Sequence, residues 1–286
     1  MCTDRPTPFI TRRALLALSG AAALSACAPN ADESASPSTP TETVPVPEPT
    51  RSAQSSPPSP EPTEEDDEAA EEEEDQRTSD PSWDPDSTYV LVNKRNPLEP
   101  PDHVPADLRE VDVLQHYPGQ RMRDEAAGAL EELFAAAEEA GHRLAVTTAY
   151  RDYDHQFALY DSWYREHGQE WTDAVSARPG YSEHQTGLAV DILTEDSHPD
   201  ELLESFGGMP EGRWAAENAH EFGFLIRYPE GAEDITGYRY EPWHLRYVGT
   251  ETAASVFEED VTLEEYWDQP PAPDYEYDYG EDPAAP

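Results

Sequence analysis

Cysteine is almost missing from this sequence: its 286 residues include only Cys2 and Cys27. A disulfide framework or a thiolate metal site has nothing to be built from in the body of the chain, so any bound metal must be held by His, Asp and Glu. Basic residues are scarce too, with 18 Lys and Arg set against 62 Asp and Glu and a formal net charge of -44. A surface of that sign repels nucleic-acid phosphates and acidic lipid headgroups, which removes nucleic-acid binding from the candidate functions. Long apolar runs are lacking as well. ALLALSGAAALSAC, ending at Cys27, is too short to span a bilayer comfortably.

What is present at the start has the order of an export signal: Arg12 and Arg13, the apolar run, then small residues. Leu24-Ser25-Ala26-Cys27 resembles a bacterial lipobox, whose cysteine is lipidated and becomes the new N-terminus. An ordinary signal peptide in which Cys27 is incidental is the alternative. The expectation is a signal peptide over residues 1–27 and a lipid anchor on Cys27, holding an exported protein at the outer face of the cytoplasmic membrane, facing the cell wall. The paired arginines also permit a twin-arginine signal, so the export route stays open.

Residues 28–86 are nearly all Pro, Ser, Thr, Glu and Asp, as in SSPPSPEPTEEDDEAAEEEEDQ, and cannot bury enough apolar surface to offset their conformational entropy. They read as a disordered acidic linker, and a flexible coil of roughly 60 residues averages about 40 to 50 Å end to end. Residues 87–260 carry the periodic patterns of a folded domain. STYVLVN, RLAVTTAY, FLIRY, ITGYRY and WHLRYVG read as β segments, while Asp124 to Gly141, YDHQFALYDSWYREHG and WAAENAHEFG read as helices. In the first helix Asp124 is a candidate cap, Leu130, Leu133, Phe134 and Ala137 form one face, and Gly141 is a stop. In the second, Phe157, Tyr160 and Tyr164 share a side. Strands and helices do not alternate as regular βαβ units, so the expected class is α+β, a mainly antiparallel sheet with flanking helices. Residues 261–286, acidic, Pro-rich and dotted with tyrosine, are expected to hang free as a disordered tail.

Two short stretches concentrate the chemistry. In SEHQTGLAVDI, His184 and Asp191 can share one metal if the chain turns at Gly187, and AVDIL reads as a strand that carries Asp191 inward among apolar neighbours. A buried carboxylate is costly without a partner. A divalent cation would serve, and so would a backbone cap or an arginine. In YEPWHLRYVG, Pro242 makes both a helix and a central strand uncomfortable between Glu241 and His244, so an irregular turn can aim both side chains at one cavity. His244 is then the third ligand of a catalytic zinc with an open position for water, and Glu241 takes the water's proton. A surface salt bridge beside a packed histidine is the alternative for that pair.

Read together as S-x-H-x-x-G-x-A-x-D from Ser182 to Asp191 and E-P-W-H from Glu241 to His244, these motifs carry a resemblance. With TTAYRDYDHQFALY upstream and EGRWAAENAHEFGFLIRYP between them, the sequence resembles the VanY-type D-alanyl-D-alanine carboxypeptidases over most of residues 140–250. The resemblance implies the small α+β fold of Hedgehog-like zinc domains, a Zn2+ cofactor on His184, Asp191 and His244, and Glu241 as catalytic base. It also aligns Arg151 with the family's arginine that polarises the scissile carbonyl; pairing with Asp152 or Asp154 is the structural alternative. Gln156 and Ser182 are candidates for holding the substrate backbone or its terminal carboxylate. His155, His167 and His220 lack partner spacing, and Trp243 is placed to pack under His244. The implied function is removal of the C-terminal D-alanine from peptidoglycan stem peptides, by an enzyme expected to be a monomer. L,D-carboxypeptidase or endopeptidase activity would use the same machinery. A non-catalytic zinc binding module would have no chemical need for the base.

Overall fold

The structure, a computed structural model, describes residues 81–282. The expected signal peptide, the lipidated Cys27 and the linker as far as residue 80 lie outside the described residues. Among the described residues, no helix is long and apolar enough to cross a membrane.

Strands β1 (Leu108–Glu110) and β2 (Arg121–Arg123) form a small antiparallel ribbon. The main sheet is built from β3 (Leu144–Thr148), β4 (Ala189–Thr194), β5 (Phe224–Ile226) and β6 (His244–Tyr247), in the order β3-β4-β6-β5 and antiparallel throughout. Helix α1 (Asp124–Glu139) supplies Ala126, Ala127, Leu130, Leu133 and Ala137 to the core, the helical spacing of one apolar stripe. Val190 and Ile192 of β4 join that same core, and the two-residue pleat therefore sends Asp191 to the opposite face of the sheet. Asp124 is not the cap of α1. It is the first helical residue, and its carboxylate accepts from Arg109 Nε at 2.6 Å, near the positive end of the helix dipole.

Helix α2 (Tyr153–His167) is capped by Asp152, which accepts from the His155 amide at 2.8 Å. Its buried side carries Gln156 and Tyr160, whereas Tyr164 is exposed, so the expected Phe157–Tyr160–Tyr164 face is rotated by part of a turn. Helices α3 (Gln169–Asp173) and α4 (Pro210–Asn218) follow, then α5 (Glu233–Thr236), α6 (Thr250–Glu259) and α7 (Leu263–Tyr266). ITGYRY forms no strand: α5 ends at Gly237, φ +83°, and the chain runs on irregularly to β6. STYVLVN buries Val90, Leu91 and Val92 but makes only isolated bridges, Ser82 with Val90 and Asn93 with Asn96.

The largest correction concerns residues 261–286, expected to hang free. Through residue 282 they fold onto the domain instead. Thr262 and Glu265 form a reciprocal capping box around α7, and Leu263 and Trp267 are buried with Leu91, Leu225, Val248 and Val256. Farther on, the Arg178 guanidinium lies 3.9 Å from the Tyr275 ring centroid and pairs with Asp282 at 3.1 Å. The physical reason is charge compensation from a distance. Arg178 and Arg227, contributed by earlier segments, neutralise Asp282 and Glu264, so acidic residues that would otherwise demand solvent are carried inward with the apolar anchors.

Candidate active site

The three expected metal ligands are fixed by two local devices. His184 sits in a 3-10 turn, Glu183–Thr186, closed by Gly187 at φ +69°. Gly187 also lies against the β1–β2 ribbon, where a Cβ would meet Leu108 Cδ2 at 2.8 Å and Arg123 Cγ at 3.0 Å, so the turn needs glycine on two counts. Asp191 and His244 are direct cross-strand partners in the β4–β6 ladder, which puts their side chains side by side on one face.

The donor atoms converge. His184 Nδ1 is 2.8 Å from the Ala149 carbonyl oxygen, which can only accept, so Nδ1 carries the proton and Nε2 keeps its lone pair. That Nε2 is 3.3 Å from Asp191 Oδ2, and His244 Nδ1 is 3.1 Å from Asp191 Oδ1. The two imidazoles meet edge to face at 4.9 Å, and one donor atom from each of His184, Asp191 and His244 lies within 4.8 Å of the others. Burial lowers the His184 pKa and keeps the ring neutral, as a ligand must be. Two imidazole nitrogens and one carboxylate, buried and without a cysteine, fit a borderline divalent cation such as zinc.

Glu241 reaches the same place through a tight turn. The His244 amide donates to the Glu241 carbonyl at 3.1 Å with Pro242 in the second position, where its fixed φ suits the bend. Glu241 Oε2 thereby stands 4.0 Å from His244 Nδ1. Burial pushes the Glu241 carboxyl up to about 8; His244 and Arg151 pull it down, while Asp191 and Glu183 push it further up. Arg151 follows β3, and its amide donates to the His184 carbonyl at 3.2 Å. It makes no ion pair with Asp152, which is occupied in capping α2, or with Asp154. Burial lowers its pKa, opposed by the nearby carboxylates of Asp191 and Glu241.

All five residues line one cavity of about 700 Å³, walled by Trp163, Trp171, Tyr240 and Trp243. Ser182 lines it as well, and its hydroxyl is not spent on capping the turn that follows. Gln156 does not. Its side chain is wholly buried and donates to the Ala177 carbonyl at 2.6 Å, so it props the wall formed by Ser176 and Ala177 rather than facing the cavity. Trp243 lines the cavity, and the ring that lies beside His244 is that of Tyr228, at 4.9 Å. His167 lies tilted against Trp171 at 4.1 Å and His220 stacks on Phe257, and neither histidine lines the cavity.

Sequence reasoning missed Glu183. Its buried carboxylate accepts from Arg227 Nε and from an Arg246 terminal nitrogen, each at 2.8 Å, and its second oxygen is 3.4 Å from His244 Nε2. A signal was available in the arginines: FLIRY and WHLRYVG each carry one inside an otherwise apolar strand, and a buried guanidinium requires a carboxylate.

The model of the family described as VanY, D-alanyl-D-alanine carboxypeptidase, matches residues 119–250. YodJ of Bacillus subtilis (strain 168) is 43% identical over 189 residues, 65% of this chain and 68% of that protein. The bifunctional D-Ala-D-Ala dipeptidase and D-Ala-D-Ala carboxypeptidase VanXYC of Enterococcus gallinarum is 35% identical over 187 residues, 64% of this chain and 94% of that one. Among solved structures, the LdcB LD-carboxypeptidase superposes with a TM-score of 0.61 at 42% identity, over 65% of this chain and 87% of the other. The matched span contains every residue that converges on the cavity around His184, Asp191 and His244, and the chain belongs to the VanY family of D-alanyl-D-alanine carboxypeptidases.

Proposed function

We propose that this enzyme is a zinc carboxypeptidase that removes the C-terminal D-alanine from peptidoglycan stem peptides ending in D-Ala-D-Ala. The observation that carries the reading is that Glu241 and Arg151 line the same cavity as His184, Asp191 and His244. A pure binding module has no use for a buried carboxyl and a guanidinium with no ion-pair partner among the described residues at that place.

His184, Asp191 and His244 hold the metal. Zinc at that position supplies Lewis acidity and lowers the pKa of a water to roughly 7. Glu241 accepts the proton of the attacking water and delivers it to the departing amine, a role suited to a carboxyl whose pKa is raised towards neutrality. Arg151, fixed by its backbone bond to the His184 segment, holds the negative charge that develops on the scissile carbonyl oxygen. Ser182 offers a hydroxyl to the terminal carboxylate. The aromatic walls exclude water around these groups and strengthen each of these interactions. The proposal includes export, the lipid anchor on Cys27 and a monomeric enzyme working at the outer face of the membrane, supported by the lipobox-like LSAC sequence.

The likeness to the LdcB LD-carboxypeptidase favours a second reading, in which the substrate is the tetrapeptide and the bond broken is L,D. One experiment tests both. The purified chain is incubated with zinc and either a stem pentapeptide ending in D-Ala-D-Ala or the corresponding tetrapeptide, and D-alanine is followed by mass spectrometry. Release from the pentapeptide alone, abolished by Glu241→Gln, is the expected result. Release from the tetrapeptide alone selects the second reading, and no release from either, or from cross-linked muropeptides, overturns both.

A further inference from the structure

His244 uses both ring nitrogens. Nδ1 faces Asp191 at 3.1 Å, and Nε2 faces the Glu183 carboxylate at 3.4 Å. A carboxylate can only accept, so Glu183 keeps a proton on Nε2, and Nδ1, which faces the ligand Asp191, is the nitrogen whose proton a metal displaces. Glu183 is thus to His244 what the Ala149 carbonyl is to His184.

Glu183 is itself held from behind. Its Oε1 accepts from Arg227 and Arg246, and Arg246 is tied in turn to the Val90 carbonyl at 2.6 Å. Arg227 spends its two terminal nitrogens on Glu264, at 2.9 and 2.6 Å, a bidentate pair that fixes the plane of the guanidinium. Asn93 donates to the same Glu264 oxygen at 3.0 Å. The side chains of Glu183, Arg227, Arg246 and Glu264 are all fully buried, so none of these bonds competes with water. Glu264 comes from α7, whose capping box employs the adjacent Glu265 and leaves Glu264 directed inward.

We propose that Glu183 is a positioning residue that fixes the tautomer and orientation of His244, and that Glu264, through Arg227, holds Glu183 in place, so that the C-terminal segment is part of the metal-binding apparatus. This rests on the reading of His184, Asp191 and His244 as the zinc ligands. Residues 261–282 then do more than cover an apolar surface: one of their glutamates, two residues removed along a chain of charged contacts, sets which nitrogen of His244 is free.

The test uses the full chain, with zinc affinity measured by competition against a chromophoric chelator and the ring nitrogens of His244 observed by 15N NMR in the zinc-loaded protein. The wild type is expected to bind one equivalent, with His244 coordinating through Nδ1 and protonated at Nε2. Glu264→Gln is expected to weaken zinc binding by about 10- to 100-fold, while Glu258→Gln, an exposed change on α6, leaves it unaltered. Because Glu264→Gln strands a buried guanidinium, the double variant Arg227→Met/Glu264→Met removes the pair together and preserves packing. It too is expected to lose at least several-fold in affinity and to show a broadened or displaced Nε2 proton signal at His244. Wild-type affinity and an unchanged His244 signal in the double variant overturn the positioning role. Coordination of His244 through Nε2 in the wild type overturns it as well. A wild type that binds no zinc overturns the reading of the three ligands, and the positioning role falls with it.

Discussion

Two groups of buried charges stand back to back on either side of His244. In front are Asp191, His184 and Glu241, with Arg151 at the edge of the cavity. Behind are Glu183 and Glu264 against Arg227 and Arg246, two carboxylates and two guanidiniums with every side chain fully buried. Behind, the charges balance and every partner is a permanently protonated donor, so the group is complete as it stands. In front, the ring nitrogens of His184 and His244 converge on the Asp191 carboxylate, and His244 holds a proton that must leave before its lone pair is available, an arrangement completed by a cation. The same residue types become scaffold or reaction centre according to whether their partners bring protons.

The sharpest way to break this comparison is to delete the back. A chain ending at Asp260 loses the buried Leu263 and Trp267, roughly 1.5 to 3 kcal/mol each. It also leaves Arg227 and Arg178 with only Glu183 and Asp173 in place of two partners each, where breaking a buried pair outright costs up to about 3 to 5 kcal/mol. The sum rivals the whole stability of a typical domain. The truncated protein is expected to lose its cooperative thermal transition and its near-ultraviolet circular dichroism. A cooperative transition within a few degrees of the full chain would show that the segment is dispensable.

Breaking the front should leave the fold intact. Glu241→Gln removes the proton acceptor without touching the three ligands, so kcat is expected to fall by about 10²- to 10⁴-fold with zinc affinity and melting temperature retained. Activity within about threefold of the wild type would assign the proton transfer elsewhere. Arg151→Ala is expected to cost about 10²- to 10³-fold in kcat, the scale of one donor to a developing oxyanion, with a smaller change in KM. If KM alone rises, Arg151 holds the substrate in the ground state and does not act on the transition state.

These two regions also differ in how far they could be read from the sequence. Asp191 is legible because it interrupts the apolar run AVDIL, and His184 and His244 because the chain has few histidines and these stand in motifs. Their meeting in space depends on a β4–β6 register that puts Asp191 opposite His244, which pattern alone does not specify. Glu264 is illegible for the opposite reason. It lies among acidic residues near a Pro-rich end, and what buries it is an arginine 37 residues earlier. Composition reports the average fate of an acidic segment, and a single long-range guanidinium pair overrides it. Gln156 shows the same limit at shorter range: the sequence makes it a candidate for holding substrate, but a bond to the Ala177 carbonyl turns it away from the cavity. ITGYRY fails as a strand because its glycine takes a left-handed conformation that ends a helical turn.

The smallest expected effect separates front from back by titration. Burial lowers the His244 pKa, but hydrogen bonds to Asp191 and Glu183 raise it to about 9. A ring protonated below that pH carries hydrogen on both nitrogens and has no lone pair to give, so a metal must displace one proton to bind. Apparent zinc affinity should therefore rise with pH, by up to about tenfold per unit below 9, and level off above it. Isothermal titration in buffers of different ionisation enthalpy should detect about one proton released per zinc at neutral pH. Substitution on the back of the site tests the link: replacing Glu183 by Gln removes one of the three carboxylates that raise His244, so the dependence should shift to lower pH. If affinity is flat between pH 6 and 8 and no proton is released, His244 is already neutral there, and the front needs no proton to leave before the metal enters.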